Sequence, residues 1–443
     1  MADRQAIVLI HGIGEQKPMG TLRGFVETVW SADESIHHEH APNTVWSKPD
    51  SVSENFELRR LTTATNRGGF RSDFFEFYWA HLVTGTKVAH VVSWMKTLLL
   101  RSPSRVPRAL RLAYWVLWAA LIATVLFVVN GVYQGTASEP DSGLHAVISY
   151  AVAAVILPAI GGIVRAVVGD AARYLHPAPA NIQQRATIRH AGVALLKELH
   201  DRKDNKGEPL YDRIIIVGHS LGTVIGYDII KHFWADVYDD MTVDPAAPTP
   251  DAQPLENLAA ESDPDIDTVQ VRQREYFNEL RAAGSRWRIS DFVTLGSPLA
   301  HGEVLLAEDR DELDNRAEDR ELPTCLPVLE ELRNGTKQFT YTGSVSTTTD
   351  TRTSYTIPNH GAVFGPTRWT NLYFPCKLLV WGDLIAGPVK GILGQGIRDV
   401  PVRTDIGMGF LTHTKYWQLP KPGQSAEHID ALRSALDLAD DRR

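Results

Sequence analysis

Short apolar runs that end in glycine or proline turns alternate along this chain with longer stretches of helical spacing. Ala6–Ile10 is apolar throughout and runs into His11-Gly12, the pattern of a strand buried on both faces. Phe56–Leu61 and the aromatic-rich Asp73–Ala80 predict two more strands, the second central. Ile214–Val217 is β-branched and stops at Gly218. Ile289–Pro298, Trp369–Phe374 and Leu378–Trp381 predict the remaining strands. Between them, Leu22–Trp30, Ile182–His200, Tyr227–Tyr238, Val269–Ala283 and Ala426–Ala439 carry helical periodicity. Strands alternating with helices predict an α/β protein, a mostly parallel sheet flanked by helices.

Two stretches break this rhythm. Leu112–Tyr133 and Gly143–Val164 contain no Asp, Glu, Lys or Arg. Each is long enough as a helix to cross roughly 30 Å of hydrocarbon. Tyr114, Trp115, Trp118 and Tyr133 stand near the ends of the first run, where interfacial aromatics belong. An amphipathic segment, Val88–Leu100, precedes them. Arginines lie outside the pair (Arg101, Arg105, Arg108 and Arg111, then Arg165 and Arg173), and the connecting loop holds only Glu139 and Asp141. This reads as a transmembrane helical hairpin inserted in the α/β core, with both long parts facing the cytoplasm, as at a bacterial inner membrane. The expected organisation is therefore core at 1–87, membrane-associated insertion at 88–175 and core again at 176–443. Further insertions are expected near 239–267, exposed and partly disordered, and 301–335, highly charged and placed as a lid or surface cap.

Composition narrows the function classes. With 22% charged and 44% hydrophobic residues the chain is globular, and a net charge of −8 gives no reason to expect nucleic acid. Two cysteines, Cys325 and Cys376, exclude a disulfide framework and suit a reducing compartment. No signal peptide is read at the N-terminus, where the apolar run is too short. His37-His38-Glu39-His40 lacks a partner cluster and is read as loop, not as a metal site.

The chemistry gathers at Gly218-His219-Ser220-Leu221-Gly222, between the β-branched run and a helical segment. A strand, G-x-S-x-G and a helix together form a sharp turn that exposes a serine at the carboxyl end of a sheet. The two glycines leave room where a Cβ would collide. A serine hydroxyl is a weak nucleophile and needs a base, and the base needs an orienting carboxylate. Histidine serves as base because it titrates near neutrality. Ser297 is a competing serine but lacks the glycine two residues before it and the helix start after it. His232 lies about three helical turns beyond Ser220 and is out of reach.

The strings Ile10-His-Gly-Ile-Gly14, Gly218-His-Ser-Leu-Gly222, Thr294-Leu-Gly-Ser-Pro298 and His413-Thr-Lys-Tyr-Trp417 resemble the α/β-hydrolase superfamily, in its lipase and serine-esterase branch. The resemblance implies an α/β-hydrolase fold for the core at both ends of the chain and leaves the inserted membrane hairpin unexplained. It also implies the chain order nucleophile, acid, histidine. Nucleophile and base then map onto Ser220 and His413. His301 and His360 precede the acid, and His428 lies in the terminal helix. The acid maps onto Asp383, which follows the predicted penultimate strand, with Asp405 and then Asp399 as alternatives. The backbone N–H groups of Ile13 and Leu221 would bind the oxyanion. The chain departs from fuller members in starting at the oxyanion strand and in carrying the two-helix insertion. The implied function is membrane-anchored hydrolysis of carboxylic esters, lipid or acyl esters, through an acyl-enzyme. It needs no metal or organic cofactor; its partners are the ester substrate and the membrane. Competing readings are a hydrolase of small soluble esters or thioesters, and a non-catalytic membrane scaffold.

Overall fold

A computed structural model of the chain describes residues 3–12, 17–39, 43–53, 56–82, 179–239, 247–346, 352–376, 382–383, 385–405 and 409–440, together with isolated positions between 103 and 174. It divides into two compact units, Met1–Ala80 with Ala186–Arg443, and His81–Arg185.

The first unit is built on an eight-stranded sheet. Its strands are β1 (Asp3–Ile10), β2 (Val45–Pro49), β3 (Arg59–Thr65), β4 (Phe70–Phe77), β5 (Arg213–His219), β6 (Ile289–Leu295), β11 (Arg368–Tyr373) and β12 (Arg398–Pro401). The order is β12-β11-β6-β5-β1-β4-β3-β2. The first six in that order run parallel, and β3 and β2 complete the edge as antiparallel neighbours. Two small pairs stand apart, β7 (Glu330–Glu331) with β8 (Lys337–Gln338), and β9 (Thr340–Ser346) with β10 (Arg352–Pro358). The protein is thus α/β with a mostly parallel sheet.

Alternation along the strands divides the core into two layers. Ile7 and Leu9 of β1, with Ile215 and Val217 of β5, face α1 (Gly20–Val26) and the C-terminal helix α7 (Glu427–Leu436), whose Leu432 and Leu436 are buried in the same cluster. The opposite face carries α2 (Pro179–Asp201) and α3 (Leu221–Asp239). These two helices meet at Gly192, where a Cβ would lie 2.1 Å from Ile229 Cδ1, and they share the Arg189–Asp228 ion pair at 2.6 Å. Chain direction across the sheet changes at β1. Later strands lie on both sides of β1, β4 on one and β5 on the other, so the switch point of the sheet lies between β1 and β5.

Several expectations change. The edge strands β2 and β12 were not anticipated: Val45–Pro49 and Arg398–Pro401 have no apolar run, and each is held by pairing with a neighbour. β3 and β4 lie about one turn of sequence away from the predicted runs, and Phe56 is fully exposed. The predicted strand at 378–381 lies outside the described residues. The stretch 239–267 is not simply exposed. It contains α4 (Gln253–Ala259), whose Leu255 joins Val269, Tyr276 and Leu280 of α5 (Ile266–Ala282) in a second apolar cluster with Phe339 and Ala362. Two leucines three residues apart, Leu255 and Leu258, suffice for one buried face among prolines and aspartates. In 301–335, α6 (Arg310–Glu318) is capped by Asp309 and anchored by Leu313. The chain after it is tied to α3 through Tyr227, whose hydroxyl donates to Pro323 O at 2.9 Å.

The expected membrane hairpin is also corrected. Among the described residues, no helix is long and apolar enough to cross a membrane. Of the run 112–133, the structure describes Tyr114, Trp115, Trp118, Ile122, Leu126 and Val129 as helical positions, with Tyr114 buried and Trp115, Ile122, Leu126 and Val129 exposed. The rest of it, and all of 88–100 and 143–164, lie outside the described residues.

One buried carboxyl at the carboxyl end of β4 makes a pH prediction. Glu76 is 1% exposed; its Oε2 accepts from Met19 N at 2.7 Å, and its Oε1 has no hydrogen-bond partner. Burial pushes its pKa up to about 7, against the lowering effect of the Met19 N–H. The folded state therefore favours the neutral acid. The associated stability is present below the ordinary carboxylate range and is lost as pH rises towards 7, a loss of up to about 3 kcal/mol. Glu76→Gln, which cannot ionise, is expected to be more stable than wild type at pH 8 by up to that amount and to flatten the dependence between pH 5 and 7.5. Urea midpoints at the two ends of that range test this, and parallel curves for the two proteins would refute it.

Candidate active site

Strand β5 is buried along its whole length and delivers His219 and Ser220 to the carboxyl edge of the sheet. Ser220 sits in the left-handed region at φ 53, and α3 begins at the next residue. Its backbone is fully engaged. Ser220 N donates to Leu295 O of β6 at 2.9 Å, and Ser220 O accepts from Thr223 N at 3.0 Å and Thr223 Oγ1 at 2.7 Å. The flanking glycines are required by contact. A Cβ on Gly218 would lie 2.7 Å from Thr223 Cα, and one on Gly222 only 2.2 Å from Ile10 O. From β1, Gly12 packs against Ser220 so closely that a Cβ there would meet Ser220 Cβ at 2.8 Å.

Ser220, His413 and Asp383 are brought together from three separate segments. His413 lies in a short helical turn, Gly409–Thr414. Its Nε2 is 2.8 Å from Ser220 Oγ and its Nδ1 is 2.7 Å from Asp383 Oδ2. A carboxylate accepts, so Nδ1 carries the proton and Nε2 is left to accept from the serine hydroxyl. Asp383 is held at the end of β11 by its own N–H, which donates to Phe374 O at 3.2 Å. Its Oδ1 accepts from Ile385 N at 2.9 Å, and Oδ2 accepts from Tyr416 OH at 2.9 Å as well as from His413. Burial alone would raise the Asp383 pKa. The hydrogen bonds from His413, Tyr416 and Ile385, with the His413 charge, outweigh it and hold the carboxyl below its ordinary value.

The other candidates sit elsewhere. Asp405 accepts from Ser425 N at 2.9 Å in an exposed turn. Asp399, in β12, is occupied by Asn371 Nδ2 at 2.6 Å and by the N–H groups of Val389 and Lys390. Ser297 is fully buried beneath the turn, its Oγ 2.8 Å from Thr223 Oγ1. Leu221 is the first residue of α3, so its N–H has no acceptor within the helix and lies at the positive end of the helix dipole. Ile13 lies outside the described residues.

Three supporting residues were not singled out from the sequence. His219 donates from Nε2 to His413 O at 2.8 Å. Burial, then the nearby His413, pushes its pKa down to about 3, so it stays neutral. Tyr416 ties the acid to Phe374 N, whose N–H its hydroxyl accepts at 3.2 Å. Gly296 adopts φ +63 under the acid–base pair, and a Cβ there would lie 2.7 Å from Tyr416 Cε2 and 3.2 Å from Asp383 Oδ2. The Thr-Leu-Gly-Ser-Pro string held that signal, because a glycine immediately after a buried strand marks a close approach. A cavity of about 290 Å³ lies far from this site, at the amino ends of the strands among Asp3, Phe70, Arg213 and Arg274. The guanidinium groups there are paired with carboxylates such as Asp440.

No family model, no curated protein and no solved structure matches this chain. The superfamily membership inferred from four short strings is therefore corrected. A glycine-flanked serine turn with a histidine and a carboxylate recurs on unrelated scaffolds because sterics and acid–base chemistry dictate it, so likeness at a few residues carries no descent.

Proposed function

We propose that the protein is a serine hydrolase that cleaves carboxylic esters through an acyl-enzyme, with Ser220 as nucleophile, His413 as general base and then acid, and Asp383 as the orienting carboxylate. The observation that carries this reading is the unbroken hydrogen-bond relay from Ser220 Oγ through both ring nitrogens of His413 to Asp383 Oδ2, at 2.8 and 2.7 Å. In the reading, Ser220 Oγ bonds to the ester carbonyl carbon as its proton passes to His413 Nε2. The carbonyl oxygen becomes an oxyanion that accepts from Leu221 N–H. The C–O bond to the alcohol then breaks, and the alcohol leaves with the proton from His413. Water repeats the sequence on the acyl-serine and releases the carboxylic acid. The substrates proposed are acyl esters, lipid esters among them. The sheet order, with the nucleophile turn after β5 beside β1, supports reading the scaffold as a hydrolase fold in architecture.

Labelling by a fluorophosphonate probe, which phosphonylates an activated serine, tests the reading, with wild type beside Ser220→Ala. Labelling of the wild type alone is expected; labelling of neither, in folded protein, overturns it. Turnover of a short-chain p-nitrophenyl ester compared with a glyceride then separates small esters from lipid esters. The choice of acid has its own test. Asp383→Asn leaves Nδ1 facing a group that no longer stabilises the imidazolium and is expected to lower kcat by roughly 10⁴-fold. Asp405→Asn is expected to change it less than about twofold, since Asp405 only caps an exposed turn. Equal losses in the two variants would remove Asp383 from the assignment.

A further inference from the structure

We propose that Tyr416 is a positioning residue for this relay: its hydroxyl fixes the Asp383 carboxylate and sets how strongly that charge acts on His413. The inference rests on the reading of Ser220, His413 and Asp383 as acyl-transfer machinery. Asp383 Oδ2 has two donors, Tyr416 OH at 2.9 Å and His413 Nδ1 at 2.7 Å, so phenol and imidazole share one oxygen. The phenol oxygen also accepts from Phe374 N at 3.2 Å, which pins it to the end of β11. Tyr416 is fully buried, its ring 4.5 Å from that of Phe374, and it lies three residues after His413. Base and acid are thereby held by one short segment. Burial keeps the phenol protonated, a permanent donor.

The consequence is electrostatic as well as geometric. Without the phenol donor, more of the Oδ2 charge falls on Nδ1–H. The imidazolium is then favoured over the neutral base, and the carboxylate has one fewer restraint on its angle. Among the described residues, His219 at the end of β5 is a further titratable group against the pair; it is neutral through burial and is bonded to the His413 carbonyl. Its Nε2–H is spent on that carbonyl, so it does not replace the phenol.

The test compares pH–rate profiles on a p-nitrophenyl ester for wild type, Tyr416→Phe and Ser220→Ala. Tyr416→Phe is expected to lower kcat roughly ten- to a hundred-fold, the scale of one hydrogen bond to a charged group, with KM within about twofold. Its acidic limb should move up by about half a pH unit. A residue that only packs would lower the urea midpoint and leave that limb in place, and this result overturns the proposal. Should Tyr416→Phe not fold, 3-fluorotyrosine at position 416 keeps the ring and makes the hydroxyl a stronger donor, so the limb is expected to move down; an unmoved limb overturns the proposal there too. Wild-type turnover in Ser220→Ala would instead sink the relay reading itself. An inactive Ser220→Ala beside a Tyr416→Phe of wild-type rate and profile would sink the Tyr416 role alone.

Discussion

Ser220→Ala is expected to fold as the wild type does and to hydrolyse a p-nitrophenyl ester at least about 10⁴-fold more slowly, because Ser220 Oγ is the hydroxyl bonded to His413 Nε2. The hydroxyls of Thr223 and Ser297 lie under the serine turn, but each is buried and bonded to the other. His413 would keep its bond to Asp383 and face an empty position at Nε2. Retained turnover in a folded variant would move the nucleophile elsewhere. The same residue makes an opposite prediction for stability. A non-glycine residue at φ 53 costs about 1 kcal/mol, and Ser220 carries that strain in the middle of the molecule. Ser220→Gly removes it. The glycine variant is expected to be as inactive as the alanine variant yet to have the higher urea midpoint of the two, by about 1 kcal/mol. Strain kept at a position where it serves only the hydroxyl's placement is what a reactive site predicts. A glycine variant no more stable than the alanine variant would remove that argument.

Gly222→Ala is expected to cost about 3 kcal/mol or more. The added Cβ would lie 2.2 Å from Ile10 O, 2.8 Å from Ile10 C and 2.7 Å from His11 O. All three are main-chain atoms at the carboxyl end of β1 and the residue after it, and β1 is paired on both sides, with β4 and with β5. They cannot rotate away as a side chain would. Relief requires α3 to lift from the sheet or β1 to shift, and either movement separates Gly12 from Ser220. Gly391→Ala is the control. Nothing lies within 4 Å of its Cβ position, its φ is negative and it sits in a short helical turn, so a neutral or slightly stabilising change is expected. Urea melts of the two variants beside wild type test the contrast, and an unchanged midpoint for Gly222→Ala would refute the packing account of the turn.

Much of the parallel sheet was legible because its strands are buried on both faces and therefore read as continuous apolar runs. Ala6–Ile10, Ile214–Val217, Ile289–Leu295 and Trp369–Phe374 all lie in or on observed strands. The edges were not legible. β2 and β12 each bury little, so their residues are chosen by what they pair with, and no periodicity marks them. Helix α4 was hidden for a related reason. Its burial depends on Phe339 and Ala362, distant in sequence, and its few apolar residues are diluted by Pro and Asp. The membrane hairpin erred in the other direction: run length, flanking aromatics and outer arginines were read as two spans, yet no described helix is long and apolar enough to cross a membrane.

At the site, the local sequence determined the turn. Gly218, against Thr223, acts within five residues, whereas Gly222 is required by Ile10 O, which the sheet brings beside the turn. Only the tertiary structure decided which histidine and which carboxylate meet that serine. His413 and Asp383 are separated from it by 193 and 163 positions, and the alternatives Asp399 and Asp405 differ from Asp383 only in where the chain carries them. It decided equally that Tyr416 and His219 brace the pair, through bonds to Phe374 and to the His413 carbonyl. The physical reason is one of range. Backbone sterics and periodicity are written in neighbouring residues. A hydrogen bond between side chains forms only after distant segments have been brought within about 3 Å by the packing of the whole sheet.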